Sequence, residues 1–324
     1  MLFQRLASLT VALTFILLLL GGVVHMTDSG LACPTWPMCF PDQTSLIPNF
    51  GGKPLIEYSH RLTAKIVGVL TLGMLFVAFR ARRQQPVRFR LSLLAAVLVM
   101  FQGLLGKITV EHNLPTLVST GHLATAMLFF ALVVSLALGA FTIDDRAAVS
   151  PETRKATRLA LLAVYLQIVL GAFVRHTGSG LACGTSPLLC VGVFWPALGP
   201  AQLHMLHRYF ALVVTALVVW SALRLRAETE GAVRRFATGA MILVVLQVGL
   251  GVLSVASTLH LHTVTTHQGV GAILFACYVA LAYFTRSKSR VPESSPAPSE
   301  APLPNADIKH IRPQGDINQA RVLP

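Results

Sequence analysis

The chain has 324 residues, 54% of them apolar and 12% charged, with a mean hydropathy of +0.67 and a formal charge of +13. That composition excludes a water-soluble globular domain and calls for a lipid environment. The positive charge is gathered in short basic turns, so nucleic-acid binding is a poor reading of it.

Eight apolar runs long enough to cross a bilayer follow one another near residues 6–24, 58–79, 91–108, 118–141, 159–174, 206–223, 236–255 and 264–284. Lipid offers nothing to unpaired backbone groups, so each run is expected to be a helix. The fold class is therefore an all-α integral membrane protein with eight transmembrane helices. The first run follows Arg5 and resembles a secretory signal. No small-x-small cleavage site stands before its loop and the fifth run repeats its position, so it is read as a retained helix. Basic residues cluster after alternate runs: Arg80, Arg82, Arg83, Arg88 and Arg90, then Arg146, Arg154, Lys155 and Arg158, then Arg224, Arg226, Arg234 and Arg235, then Arg286, Lys288 and Arg290. The opposite loops hold little beyond Lys53, Lys107 and Arg175. The positive-inside rule places both termini in the cytoplasm of a multi-pass cell-membrane protein. The Pro/Ser/Glu-rich segment 287–324 is expected to be a disordered cytoplasmic tail.

The sequence between these ends is written twice. VVHMTDSGLAC (23–33) returns as FVRHTGSGLAC (173–183), offset by 150 positions. Each copy is followed by a histidine-arginine step (His60-Arg61, His207-Arg208), a glutamine-glycine stretch (FQGLLG from Phe101, LQVGLG from Leu246) and a second histidine, His122 or His267. A repeat this long indicates a duplicated half-protein. The expectation is two pseudo-symmetric four-helix bundles, 1–141 and 159–286, joined by a cytoplasmic linker at 142–158.

Four of the five cysteines lie in the two long outer loops, Cys33 with Cys39 and Cys183 with Cys190. In an oxidising compartment one disulfide within each loop is preferred, giving a rigid cap over the helix ends. A thiol pair that exchanges electrons and a metal site are the alternatives, although CxxC spacing is absent. Cys277 reads as a small buried apolar residue.

His60 and His122 fall near the outer ends of the second and fourth runs, and His207 and His267 near those of the sixth and eighth. Two imidazoles from facing helices can supply both axial ligands of a haem iron. A single such histidine is better read as a hydrogen bond to a neighbouring helix; repetition at matched depth favours haem. Gly68, Gly103, Gly106, Gly121, Gly249, Gly251, Gly269 and Gly271 either leave room for a flat macrocycle or serve close helix packing. Glu57 stands three residues before His60, whereas His204 occupies that place before His207. The carboxylate is either a helix-terminal charge or a proton-handling group beside a reactive haem. The half without it suits a permanent electron-transfer haem.

At these residues the chain closely resembles the haem A synthase family. The motifs are GGVVHMTDSGLACPTWPMC (21–39), EYSHR (57–61), QGLLGKITV (102–110), His122, and the second-half TGSGLAC, HMLHR and His267. The resemblance covers about residues 1–286. It implies an eight-helix enzyme that oxidises the C8 methyl group of haem O to the formyl group of haem A, by two hydroxylations and loss of water from the gem-diol, for aa3-type oxidases. It places His60 and His122 around the substrate haem O, His207 and His267 on a haem b cofactor, and Glu57 as the catalytic carboxylate. It implies a Cys33–Cys39 disulfide with Cys183–Cys190 as counterpart. The implied partners are the farnesyltransferase that makes haem O and an electron-transfer partner; oligomeric state is left open. His25 and Asp28 stand where the family has Arg and Gly, while Arg175 and Gly178 keep that pattern. The arginine could pair with a haem propionate, and His25 reads as a surface residue. Two rivals remain: a dihaem membrane cytochrome b, and a parallel-repeat transporter, which broken helices at the midplane would support.

Overall fold

The computed structural model describes residues 1–43, 49–141, 147–186, 189–197 and 199–286. The expected tail at 287–324 and part of the expected linker, 142–146, lie outside the described residues. Eight helices are each long and apolar enough to cross a membrane: α1 Leu2–Met26, α2 Gly52–Arg80, α3 Pro86–Glu111, α4 Thr116–Ala140, α5 Pro151–His176, α6 Gly199–Glu228, α7 Gly231–Ala256 and α8 Leu261–Phe284. At a rise of about 1.5 Å per residue, the shortest spans roughly 36 Å, more than the hydrocarbon thickness. Every helix begins ahead of its apolar stretch, because hydropathy marks only the part in lipid while the backbone is helical from its capping signal onward. Ser150 Oγ accepts from the Thr153 amide at 3.2 Å and Pro151 supplies the first turn, so α5 begins ahead of the expected 159.

Helices α1–α4 pack as a closed ring, α1 on α2, α2 on α3, α3 on α4 and α4 back on α1. Helices α5–α8 close in the same order. The two sets meet where α4 packs on α5 and α8, and α1 packs on α8. Phe129, Phe130, Val133, Leu274, Phe275, Tyr278 and Leu281, buried on α4 and α8, fill the centre. Lipid matches aliphatic side chains in polarity, so this contact is held by shape rather than by hydrophobic exclusion. Gly269 shows the fit: a Cβ there would lie 2.9 Å from Leu19 on α1. This glycine therefore serves helix packing.

The repeated motifs build repeated turns. Thr27 Oγ1 donates to the Val23 carbonyl and Thr177 Oγ1 to the Phe173 carbonyl, each at 2.8 Å, satisfying a carbonyl left over at a helix C-terminus. The next serine joins each threonine, Ser29 at 2.6 Å and Ser179 at 2.8 Å. The residue between them is left-handed, Asp28 at φ 49° and Gly178 at φ 68°. Glycine is at ease there, and aspartate is among the few other residues that tolerate it. The short α3–α4 and α7–α8 turns match as well, with left-handed pairs at Asn113-Leu114 and Thr258-Leu259.

Candidate functional site

The long loops after α1 and α5 each close on a disulfide, Cys33–Cys39 and Cys183–Cys190, as expected. Each sits on the first turns of the next helix. Cys33 and Cys39 bury Tyr58 of α2, and Cys183 and Cys190 bury Ala201 and Met205 of α6. Cys277 is a buried free cysteine. The arginine of each histidine-arginine step pins its loop, a role the sequence did not suggest. Arg61 Nη1 donates to the carbonyls of Thr35 and Met38, and Arg208 Nη1 donates to that of Ser186 at 2.7 Å.

Glu57 lies beneath the first cap, 3% exposed. It forms an ion pair with Arg61 one turn on, and its Oε2 accepts from the Cys33 amide at 2.8 Å. It sits in the second turn of α2, so the helix-terminal reading fails; the first turn of that helix carries no acidic residue. In the second half His204 Nε2 takes the equivalent place and accepts from Arg208 Nε at 3.2 Å. The carboxylate is therefore the chemical difference between two otherwise parallel cap junctions.

The four histidines come together in pairs. His60 and His122 lie within electrostatic reach of each other, and so do His207 and His267. Each ring rests against a glycine of the preceding helix. A Cβ would lie 3.2 Å from His60 Cε1 at Gly21, 3.6 Å from His122 Cε1 at Gly106, 2.9 Å from His207 Cε1 at Gly171, and 3.2 Å from His267 Cε1 at Gly251. Gly21 and Gly171 were missed as site residues, although both stand two residues ahead of the repeated motif. Gly271 abuts Gln247, whereas Gly68, Gly103, Gly121 and Gly249 have open space where a side chain would start.

Glutamines are the second omission. With its amide turned as its neighbours require, Gln102 Nε2 donates to His122 Nδ1 at 3.0 Å and to the His122 carbonyl at 3.2 Å. Gln167 Nε2 lies 3.1 Å from His207 Nδ1 and donates to the His207 carbonyl at 2.9 Å. Gln247 Nε2 lies 3.4 Å from His267 Nε2. His60 Nδ1, His267 Nδ1, Gln167 Oε1 and Gln247 Oε1 are buried without a hydrogen-bond partner. Orphaned polar atoms are costly in a membrane interior. Paired imidazoles, glycine-lined and carrying unspent donor and acceptor capacity, fit an iron porphyrin held between them. Among the described residues no cluster of three or more His, Cys, Asp or Glu suits a bare metal ion.

Between the halves lies a polar junction. Arg175 Nη1 donates to Gln268 Oε1 at 2.8 Å and Nη2 to the Gly22 carbonyl of α1 at 2.6 Å, while Gln268 Nε2 donates to the Leu18 carbonyl at 2.7 Å. Arg175 thus spends two of its nitrogens as a strut. His25 is not the surface residue expected: its ring meets His176 edge-on, centroids 5.1 Å apart. His176 Nδ1 is 3.1 Å from Thr120 Oγ1, two residues before His122, and Gln268 adjoins His267. We expect Arg175→Ala to lower the thermal stability of the detergent-purified protein by about 3 kcal/mol, since each charge-assisted hydrogen bond contributes roughly 1.5–3 kcal/mol. An unchanged melting temperature would remove the strut from this account.

Residues 4–279 match the cytochrome oxidase assembly protein family. The chain is 33% identical over 302 residues to a haem A synthase of Symbiobacterium thermophilum, covering 86% of this chain and 96% of that protein. It is 33% identical over 307 residues to one of Shouchella clausii, covering 89% and 98%. A haem A synthase of Shewanella oneidensis is 28% identical over 328 residues, covering 88% and 97%. With two relatives at this identity over nearly their whole length, and a family pattern that enters all eight helices, the chain belongs to the haem A synthase family.

Proposed function

We propose that the chain is a haem A synthase that oxidises the C8 methyl group of haem O to a formyl group in two hydroxylations, water leaving the gem-diol. The single observation that carries this reading is the pairing of His60 with His122, and of His207 with His267, each ring bedded on a glycine. His60 and His122 are assigned to the substrate haem O, and His207 and His267 to a resident haem b. The porphyrin iron supplies the redox chemistry; the chain supplies orientation, proton handling and exclusion of water.

In the first half, His60 and His122 would hold the substrate macrocycle, and its farnesyl tail would stay in lipid. The loop closed by Cys33 and Cys39 covers the helix ends next to Glu57. Glu57, held between Arg61 and the Cys33 amide, is assigned to take and return the protons released as the methyl carbon is oxidised. Where the second half has His204 it has no carboxylate, consistent with a haem that only passes electrons. The Arg175–Gln268 junction beside His267, and the His176–Thr120 contact beside His122, supply a packed polar route between the halves. The electron-transfer partner and the farnesyltransferase that delivers haem O are further parts of this proposal.

All eight spans run as unbroken helices, so the broken-helix arrangement that would favour a transporter is not what these helices adopt. The test is expression beside a source of haem O, followed by chromatography of the extracted porphyrins. Haem A together with haem b is expected; haem b alone would reduce the chain to a cytochrome. Cys33→Ser is expected to release about 2 kcal/mol of loop-closure constraint. The protein should keep its haem b spectrum but lose conversion several-fold, and full activity would show that the cap need not be rigid.

A further inference from the structure

Beyond its disulfide the second long loop makes a tight turn. The Cys190 amide donates to the Val193 carbonyl at 2.8 Å, and the Val193 amide donates back to the Cys190 carbonyl at 3.1 Å. Val191 and Gly192 between them are both left-handed, at φ 49° and φ 82°. A turn of this kind ordinarily carries asparagine and glycine, since a β-branched residue rarely adopts a positive φ. Here a valine stands at the tip with 82% of its surface exposed. Val193, Phe194 (74%) and Trp195 are exposed beside it. In water these side chains would form an uncovered apolar patch.

Their attachment shows where the patch lies. Trp195 stacks on Tyr209 of α6, ring centroids 6.5 Å apart, and Tyr209 Oη donates to the Phe194 carbonyl at 2.6 Å. Tyr209 is about 15 Å along α6 from its start at Gly199, inside the apolar run at 206–223. Helical spacing puts it on one face with Leu206, Val213 and Trp220, all exposed on a helix apolar enough to span a membrane. The loop therefore folds back along the lipid side of α6, and its tip continues that surface. From 176 to 207 the sequence contains no Asp, Glu, Lys or Arg, so no charge opposes entry into lipid. The first long loop differs: it carries Asp28, Asp42 and Lys53, and its Phe40 and Phe50 turn inward onto buried Tyr58.

We infer that 191–195 is a membrane anchor, inserted among the phospholipids of the leaflet on the long-loop side. Val191, Val193 and Phe194 enter the upper acyl region, and the Trp195–Tyr209 pair sits at the level of the headgroups, where amphipathic rings are favoured. The occupant is phospholipid because the patch extends the lipid-facing side of α6 and offers no charge for a protein partner to read. The second cap is thereby held by the bilayer as well as by Ala201 and Met205. This inference does not depend on the haem reading.

The probe is a nitroxide on Val191→Cys, and separately on Phe194→Cys, in the full-length protein in vesicles of phosphatidylethanolamine and phosphatidylglycerol. Collisions are measured with molecular oxygen, which concentrates in acyl chains, and with a water-soluble nickel chelate, which is kept out of them. Val213→Cys supplies the lipid reference and Asp42→Cys the loop reference. The oxygen-to-nickel ratio at both tip positions is expected to match that at Val213 and to exceed that at Asp42 several-fold. A ratio equal to that at Asp42 would put the tip in water and overturn the anchor. Weak collision with both reagents would mean that protein covers the tip, which overturns it equally. Each tip position decides the matter alone, so one poorly folded variant does not remove the test.

Discussion

Glu57→Gln is expected to reduce conversion of haem O to haem A by 100-fold or more while the haem b absorption is unchanged. The reason is that the amide keeps the shape and one of the two accepted contacts but loses the proton chemistry. Its single oxygen can still accept from the Cys33 amide, and Arg61 keeps the carbonyls of Thr35 and Met38, so the loop stays in place. A positioned acid–base group commonly contributes about 10²–10⁴-fold in rate. Glu57→Ala should be as inactive and less stable as well, because it leaves the Arg61 guanidinium without its carboxylate in a site where both side chains are at most 10% exposed. Breaking one member of such a buried pair costs roughly 3–5 kcal/mol; Arg61 keeps the carbonyls of Thr35 and Met38, which favours the lower figure. Porphyrin ratios from extracted membranes give the activity, and thermal unfolding of the purified protein gives the stability. If Glu57→Gln converts normally and Glu57→Ala does not, the residue is a latch for the cap and its proton role is refuted.

His267→Ala should remove the resident haem b, seen as loss of the six-coordinate spectrum and a fall in haem content to at most the first-half site. His267 projects from α8, the helix that packs on α1, α4, α5 and α7, so its backbone position is held from several sides. Loss of the ring leaves a hole beside Gly251 and takes away the partner of the Gln247 amide, but removes none of the contacts that join the halves. The folded protein should therefore persist without its cofactor. His207→Ala should give the same spectrum, since the proposed site has both rings share one iron. An unaltered six-coordinate spectrum in either variant would refute that ligation.

Much of this architecture is legible in the amino-acid order. Apolar runs separated by basic turns leave a lipid-embedded chain no choice but helices, and all eight are where hydropathy places them. The duplicated motifs foretell the paired histidines, the two caps and the asymmetry at Glu57, because a repeat carries its local turns with it. Thr27 with Ser29, and Thr177 with Ser179, do the same work from the same spacing.

What the chain order could not reveal is anything decided between helices. Arg61 and Arg208 gain their meaning from loop carbonyls more than twenty residues away in sequence. Arg175, read from sequence only as a possible propionate partner, also ties α5 to Gly22 of α1 and Gln268 of α8. His25 looked like a surface residue until α5 brought His176 to its ring. The glutamine contacts on three histidines depend on the rotation of one helix against the next. Periodicity is a property of one segment in its solvent and can be read from that segment alone. Side-chain partnership is a property of two surfaces, and in lipid, where hydrophobic exclusion does not choose between faces, close packing and the pairing of buried polar groups make the choice.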